Sequence, residues 1–115
     1  MRVKSLFLSF DVMCLCALLL EDCYMANING GNGDDVLNGT ADADLIRGLP
    51  GKDWIDSAGG NDTISGGHNS DRIYGNAGDD LISGGDGFDR LYGGVGNDLI
   101  RGGTHHDFIW GDSGH

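Results

Sequence analysis

The chain has 115 residues, a formal net charge of −11, 22 glycines, one proline and 18 acids, of which only Glu21 is Glu. That skew excludes a helical bundle or coiled coil, because Asp competes with the helical backbone and each Gly costs about 1 kcal/mol against Ala there. Collagen is excluded by the missing Gly period, a basic nucleic-acid binder by the charge, and a disordered tail by the 39% apolar content, leaving one turn-rich acidic domain.

No glycine precedes Gly30, and residues 1–29 hold all three cysteines, Cys14, Cys16 and Cys23. This leader opens with Arg2 and Lys4 and carries an apolar run from Val12 to Leu20, the outline of a secretory signal. Asp11 interrupts it, and Glu21-Asp22-Cys23-Tyr24-Met25 makes a poor cleavage exit and a poor lipoprotein site. The run is shorter than the roughly 20 residues of a membrane span. An irregular or helical leader is expected over 1–29, either a cleaved signal, an unrelated upstream segment or the product of a misassigned start. An odd number of cysteines supports neither a disulfide framework nor a metal site.

From Gly30 the chain divides into nonapeptides without an insertion: GGNGDDVLN, GTADADLIR, GLPGKDWID, SAGGNDTIS, GGHNSDRIY, GNAGDDLIS, GGDGFDRLY, GGVGNDLIR and GGTHHDFIW, followed by a partial GDSGH. Position 6 is Asp in all nine: Asp35, Asp44, Asp53, Asp62, Asp71, Asp80, Asp89, Asp98 and Asp107. Position 8 is Leu or Ile in all nine: Leu37, Ile46, Ile55, Ile64, Ile73, Ile82, Leu91, Ile100 and Ile109. Gly at positions 1, 2 and 4 marks a tight turn, with Asn69 and Asn76 as tolerated substitutes. Positions 7 to 9 read as a short strand whose middle residue points inward. Two nonapeptides then make one 18-residue coil, and stacked coils make two facing parallel sheets with the position-8 residues between them. The expected fold is all-β, a parallel β-roll or right-handed β-solenoid over residues 30–115.

Stacking places like turns 18 residues apart, so Asp35, Asp53, Asp71, Asp89 and Asp107 line one edge and Asp44, Asp62, Asp80 and Asp98 the other. Neighbouring carboxylates about 5 Å apart repel by nearly 1 kcal/mol even in water. A cation between successive turns would relieve this. Carboxylates with turn carbonyls form a hard, all-oxygen set that suits Ca²⁺ better than Mg²⁺ or a soft metal. Four gaps on one edge and three on the other allow at most about seven ions.

These nonapeptides resemble the RTX, or hemolysin-type, calcium-binding repeat G-G-x-G-x-D-x-U-x, which GGNGDDVLN, GGDGFDRLY and GGVGNDLIR fit completely. The resemblance implies Ca²⁺ held by the position-6 Asp and by backbone carbonyls of turn glycines, here Gly31, Gly33, Gly51, Gly60, Gly67, Gly78, Gly85, Gly87, Gly94 and Gly96. It also implies bacterial type I-like export and calcium-triggered folding outside the cell. The sequence stops inside a repeat with no capping segment or C-terminal secretion signal, which suggests a fragment. The strongest sites are expected at Asp71–Asp89 and Asp80–Asp98, then Asp89–Asp107. Earlier turns are expected to bind more weakly, because Thr40, Leu49 and Ser57 stand where Gly is usual.

One Leu or Ile per repeat is a thin core, and Gly-rich turns lose the most entropy on ordering, so folding is expected to require calcium. Gly111-Asp112-Ser113-Gly114 looks like a protease serine motif but fills repeat positions 1 to 4, and no G-x-S-x-G or H-E-x-x-H occurs, so no enzyme is expected. His105 and His106 beside Asp107 read as a drifting terminal turn rather than a transition-metal site. Outward stripes of Tyr74, Tyr92 and Trp110, and of Leu45, Leu81 and Leu99, serve either as ladder packing or as a docking or self-association face. The function read from the sequence is calcium binding by a secreted structural module; the alternative is a C-terminal part of a larger secreted enzyme, toxin or adhesin that the roll helps to export and fold.

Overall fold

The computed structural model describes residues 2–3 and 26–114. They form β1 (Arg2–Val3), β2 (Asn27–Asn29), β3 (Asp35–Asn38), β4 (Leu45–Pro50), β5 (Trp54–Asp56), β6 (Thr63–His68), β7 (Arg72–Tyr74), β8 (Leu81–Asp86), β9 (Arg90–Tyr92), β10 (Leu99–Thr104) and β11 (Phe108–Trp110), with no helix among the described residues. The signal-like run and the three cysteines lie outside the described residues. Among the described residues no helix is long and apolar enough to cross a membrane.

Odd-numbered strands make one sheet in the order β1-β3-β5-β7-β9-β11, and even-numbered strands make the other, β10-β8-β6-β4-β2. From β2 onward each strand pairs in parallel with the strand one coil away, 18 residues along the chain, as in Ile55↔Ile73, Ile73↔Leu91 and Ile64↔Ile82. The result is a β-solenoid of about 5 turns. β1 departs from that spacing, adding to the edge of β3 through Arg2↔Asp35 and Val3↔Val36.

Between the sheets runs a single column of apolar side chains. Leu37, Ile46, Ile55, Ile64, Ile73, Ile82 and Leu91 are each at most 1% exposed. These are the position-8 residues, turned inward because the middle of a three-residue strand faces opposite to its neighbours. Each contributes about 1.5–3 kcal/mol by burial. The column runs one step further toward the N-terminus than the glycine pattern: Ile28, 2% exposed, pairs with Ile46. It fills position 8 of a nonapeptide with Ala26 at position 6, so neither Gly nor Asp marked it. At the other end Ile109 is 48% exposed, having no later coil over it among the described residues.

The two sheets differ in a way the repeat does not show. Strands β4, β6, β8 and β10 run six residues, on through positions 1 to 3 of the next turn. On that edge the position-3 side chains form a polar column, with His68 Nδ1 2.9 Å from Asp86 Oδ2 and Thr104 Oγ1 donating to Asp86 Oδ1 at 3.0 Å. The opposite edge has small or apolar position-3 residues and, in place of long strands, carries the isolated bridges Ala77↔Val95 and Val95↔Ser113 with single backbone bonds such as Gly59 N–H to Thr40 O at 3.2 Å. On the outer face Tyr74, Tyr92 and Trp110 stack ring on ring, at centroid spacings of 4.7 and 4.6 Å.

Candidate metal centre

Each turn carries its Asp inward. Asp35, Asp44, Asp53, Asp62, Asp71, Asp80 and Asp89 are at most 3% exposed, although carboxylates are rarely buried without a partner. From Asp44 onward, one oxygen of each finds its partner in the neighbouring coil. The backbone N–H of Asp35 donates to Asp53 Oδ1 at 2.9 Å, that of Asp53 to Asp71 Oδ1 at 2.9 Å, and that of Asp71 to Asp89 Oδ1 at 2.8 Å. Asp89 continues the column to Asp107 Oδ1 at 3.0 Å. On the other edge Asp44 donates to Asp62, Asp62 to Asp80 and Asp80 to Asp98 at 2.8, 2.8 and 2.9 Å. Both predicted Asp columns are therefore assembled, joined by N–H to Oδ1 bonds that the sequence pattern did not disclose. An Asp recurring every 18 residues at a strand entrance was the available signal.

The second oxygen is left without a partner. Asp53, Asp62, Asp71, Asp80, Asp89 and Asp98 each bury an Oδ2 that has no hydrogen bond, and Asp35 buries such an Oδ1. A buried acceptor left bare costs about 1–3 kcal/mol, and more when charged. The turn glycines show where these oxygens point. At Gly75 an added Cβ would lie 2.5 Å from Asp80 Oδ2 and 2.6 Å from Gly93 O. The missing side chain leaves a space on which a carboxylate oxygen and a carbonyl oxygen from the next coil converge.

Burial pushes these carboxyls upward. Asp53 and Asp80 rise from 3.8 to about 6, Asp62 to about 7 and Asp71 to about 8, and Asp89 is also raised; desolvation is the largest cause throughout. Backbone N–H donors pull the values partly back, while carboxylates one coil away add to the rise. Exposed Asp86 moves the other way, held below the usual range by the Thr104 hydroxyl and then by His68.

The predicted glycines occupy the turns, and most hold left-handed backbone there. Gly67, Gly85 and Gly94 at position 2, and Gly51, Gly60, Gly78, Gly87 and Gly96 at position 4, have φ between 95° and 137°. At Gly67 the reason is also steric, since a Cβ would meet Leu49 O at 2.5 Å. Gly33 at position 4 of the first turn has no positive φ, and the Gly31 N–H turns to the Asp35 carboxylate. His105 and His106 pack near the Phe88 ring. Among the described residues no three His, Cys, Asp or Glu side chains converge as a metal cluster.

Bare carboxylate oxygens and turn carbonyls, with no nitrogen or sulfur ligand gathered beside them among the described residues, form a donor set for a hard divalent cation, and they fit Ca²⁺. A parallel β-solenoid with inward acids at every turn defines a class of repeat proteins whose turns bind metal. The RTX calcium-binding nonapeptide repeat matches in four copies, at residues 29–64, 48–82, 58–91 and 83–115, and the chain belongs to that family. No curated protein and no solved structure matches the chain.

Proposed function

We propose that the chain is a calcium-folded structural module of a secreted protein, in which ions held at the turns complete the two Asp columns. The candidate ligands are the position-6 Asp residues and the carbonyls of the turn glycines. The observation that carries the reading is the set of six buried Oδ2 atoms, from Asp53 to Asp98, that no protein donor reaches. Calcium supplies positive charge that these oxygens otherwise lack. The chain contributes the rest: Oδ1 is anchored by the neighbouring coil, position-1 glycine leaves room, and the Leu/Ile column registers the turns.

Residues 30–115 carry 15 Asp and 5 Lys or Arg, a balance of −10, which five divalent ions formally neutralise. A low-calcium compartment leaves such a chain self-repelling, and a high-calcium extracellular one draws it together. The role is structural and non-catalytic, and the stacked Tyr74, Tyr92 and Trp110 rings act as ladder packing. Isothermal titration of the chelator-treated chain with calcium tests this. Uptake of several ions per chain, at most about seven, supports the reading; uptake near zero overturns it.

A further inference from the structure

The turns fall into two classes, divided between Asp44 and Gly48. From Gly48 onward positions 2 and 4 take left-handed backbone even where they are not glycine: Leu49 has φ 75°, Ala58 71°, Asn69 77°, Asn76 69° and His105 75°. Before it, Thr40 at position 2 and Gly33 and Asp42 at position 4 do not.

The carboxylates divide at the same place. In the two early turns the position-2 N–H donates to the Asp of its own turn, Gly31 to Asp35 Oδ2 and Thr40 to Asp44 Oδ2 at 2.6 Å. Thr40 Oγ1 lies 2.9 Å from Asp44 Oδ1 and 3.1 Å from Oδ2, and the Ala26 N–H donates to Oδ1 at 3.0 Å. Asp44 is 1% exposed, yet it is absent from the carboxylates with a bare oxygen. Asp35 keeps a bare Oδ1, the atom that in later coils takes the N–H of the coil before. A hydroxyl in a turn is not enough by itself. Burial raises the Asp62 pKa and nearby Ser57 lowers it somewhat, but Ser57 donates to Gly75 O at 2.7 Å, and Asp62 Oδ2 has no hydrogen bond of its own.

A buried carboxylate ringed by three protein donors already has its charge stabilised. A cation arriving at Asp44 would have to displace the N–H and hydroxyl of Thr40. We propose that turn 39–44 forms a cation-independent cap, in which Thr40 stands in for the ion at Asp44, and that calcium is held only at turns whose Asp keeps a bare oxygen. The proposal rests on the calcium reading above and narrows it: Asp44 leaves the set of candidate ligands.

The test is calorimetric calcium titration of the full chain with three variants. Asp44→Asn keeps one acceptor oxygen, for the Ala26 N–H and the Thr40 hydroxyl, gives up the acceptor of the Thr40 N–H, and binds as many ions as the unaltered chain, whereas Asp80→Asn loses at least one. Thr40→Val leaves the ion count unchanged. In saturating calcium it lowers the folding equilibrium constant by roughly tenfold or more, the worth of a hydrogen bond to a charged group. This second variant decides the matter if Asp44→Asn fails to fold. Loss of an ion from Asp44→Asn, or an unchanged stability for Thr40→Val, overturns the cap. If Asp80→Asn loses no ion, the calcium reading itself fails and the cap with it.

Discussion

Replacing Asp71 by Asn should help the chain without calcium and harm it with calcium. Asp71 lies mid-stack, 2% exposed, with Oδ1 on the Asp53 N–H at 2.9 Å and no hydrogen bond at Oδ2. Burial first, then the neighbouring Asp53 and Asp89 charges, raise its pKa from 3.8 to about 8. At pH 7 the calcium-free fold therefore holds this group protonated, while the unfolded chain ionises it. Each pH unit above the unfolded value costs about 1.4 kcal/mol, so the penalty at pH 7 is roughly 2–4 kcal/mol once solvent screening is allowed for. Asn removes that penalty and keeps the shape. Its carbonyl oxygen still accepts the Asp53 N–H, and its amide stands next to the space shared with Gly84 O. In calcium the same change deletes a ligand charge, and the calcium concentration at half-folding rises about tenfold or more. Circular dichroism reads both arms: the concentration of a stabilising osmolyte that folds the chain in chelator, and the calcium concentration at half-folding. A variant that is weaker in both buffers, or unchanged in both, refutes the reasoning.

The pH dependence should also reverse with calcium. Raised carboxyls at Asp53, Asp62, Asp71, Asp80 and Asp89 mean that the calcium-free fold binds more protons than the unfolded chain. Its stability is therefore fullest below about pH 4 and is lost as pH rises through about 6–8, whereas in calcium stability rises over the same range; parallel pH curves in the two buffers would contradict this. Ile73→Ala empties a fully buried position, and a loss of about 2–5 kcal/mol is expected by urea denaturation in calcium. Gly75→Ala drives a Cβ against Asp80 Oδ2 and Gly93 O and should raise the calcium midpoint, while Gly111→Ala, with nothing within 4 Å of its added Cβ, should leave it unchanged. Equal midpoints for the two alanine variants would show that the position-1 space is not part of the site.

The coil, both sheets and the apolar column were legible because one period carries them all. Asp at position 6 and Leu or Ile at position 8 repeat without a slip, and an 18-residue coil follows from two turns per circuit. What stayed hidden depends on contacts between coils rather than on the repeat unit. Ile28 joins the column from a nonapeptide that lacks Gly and has Ala26 where Asp is usual, so only its pairing with Ile46 discloses it. The Oδ1 anchors link backbone and side chain 18 residues apart, as from Asp62 to Asp80. Thr40 looked like a defect in the turn, because the pattern records a missing glycine and not the hydroxyl that takes up the neighbouring carboxylate. Likewise the longer strands of one sheet end on position-3 residues such as His68 and Asp86, which the repeat leaves unspecified.

Calcium dependence of folding is the central claim, and far-ultraviolet circular dichroism of the full chain in chelator, in magnesium and in calcium tests it most directly. In chelator and in magnesium at pH 7 the spectrum should be that of a largely unfolded chain. Millimolar calcium should convert it cooperatively to a β-rich one. A β-rich spectrum in chelator that calcium leaves unchanged would contradict the claim.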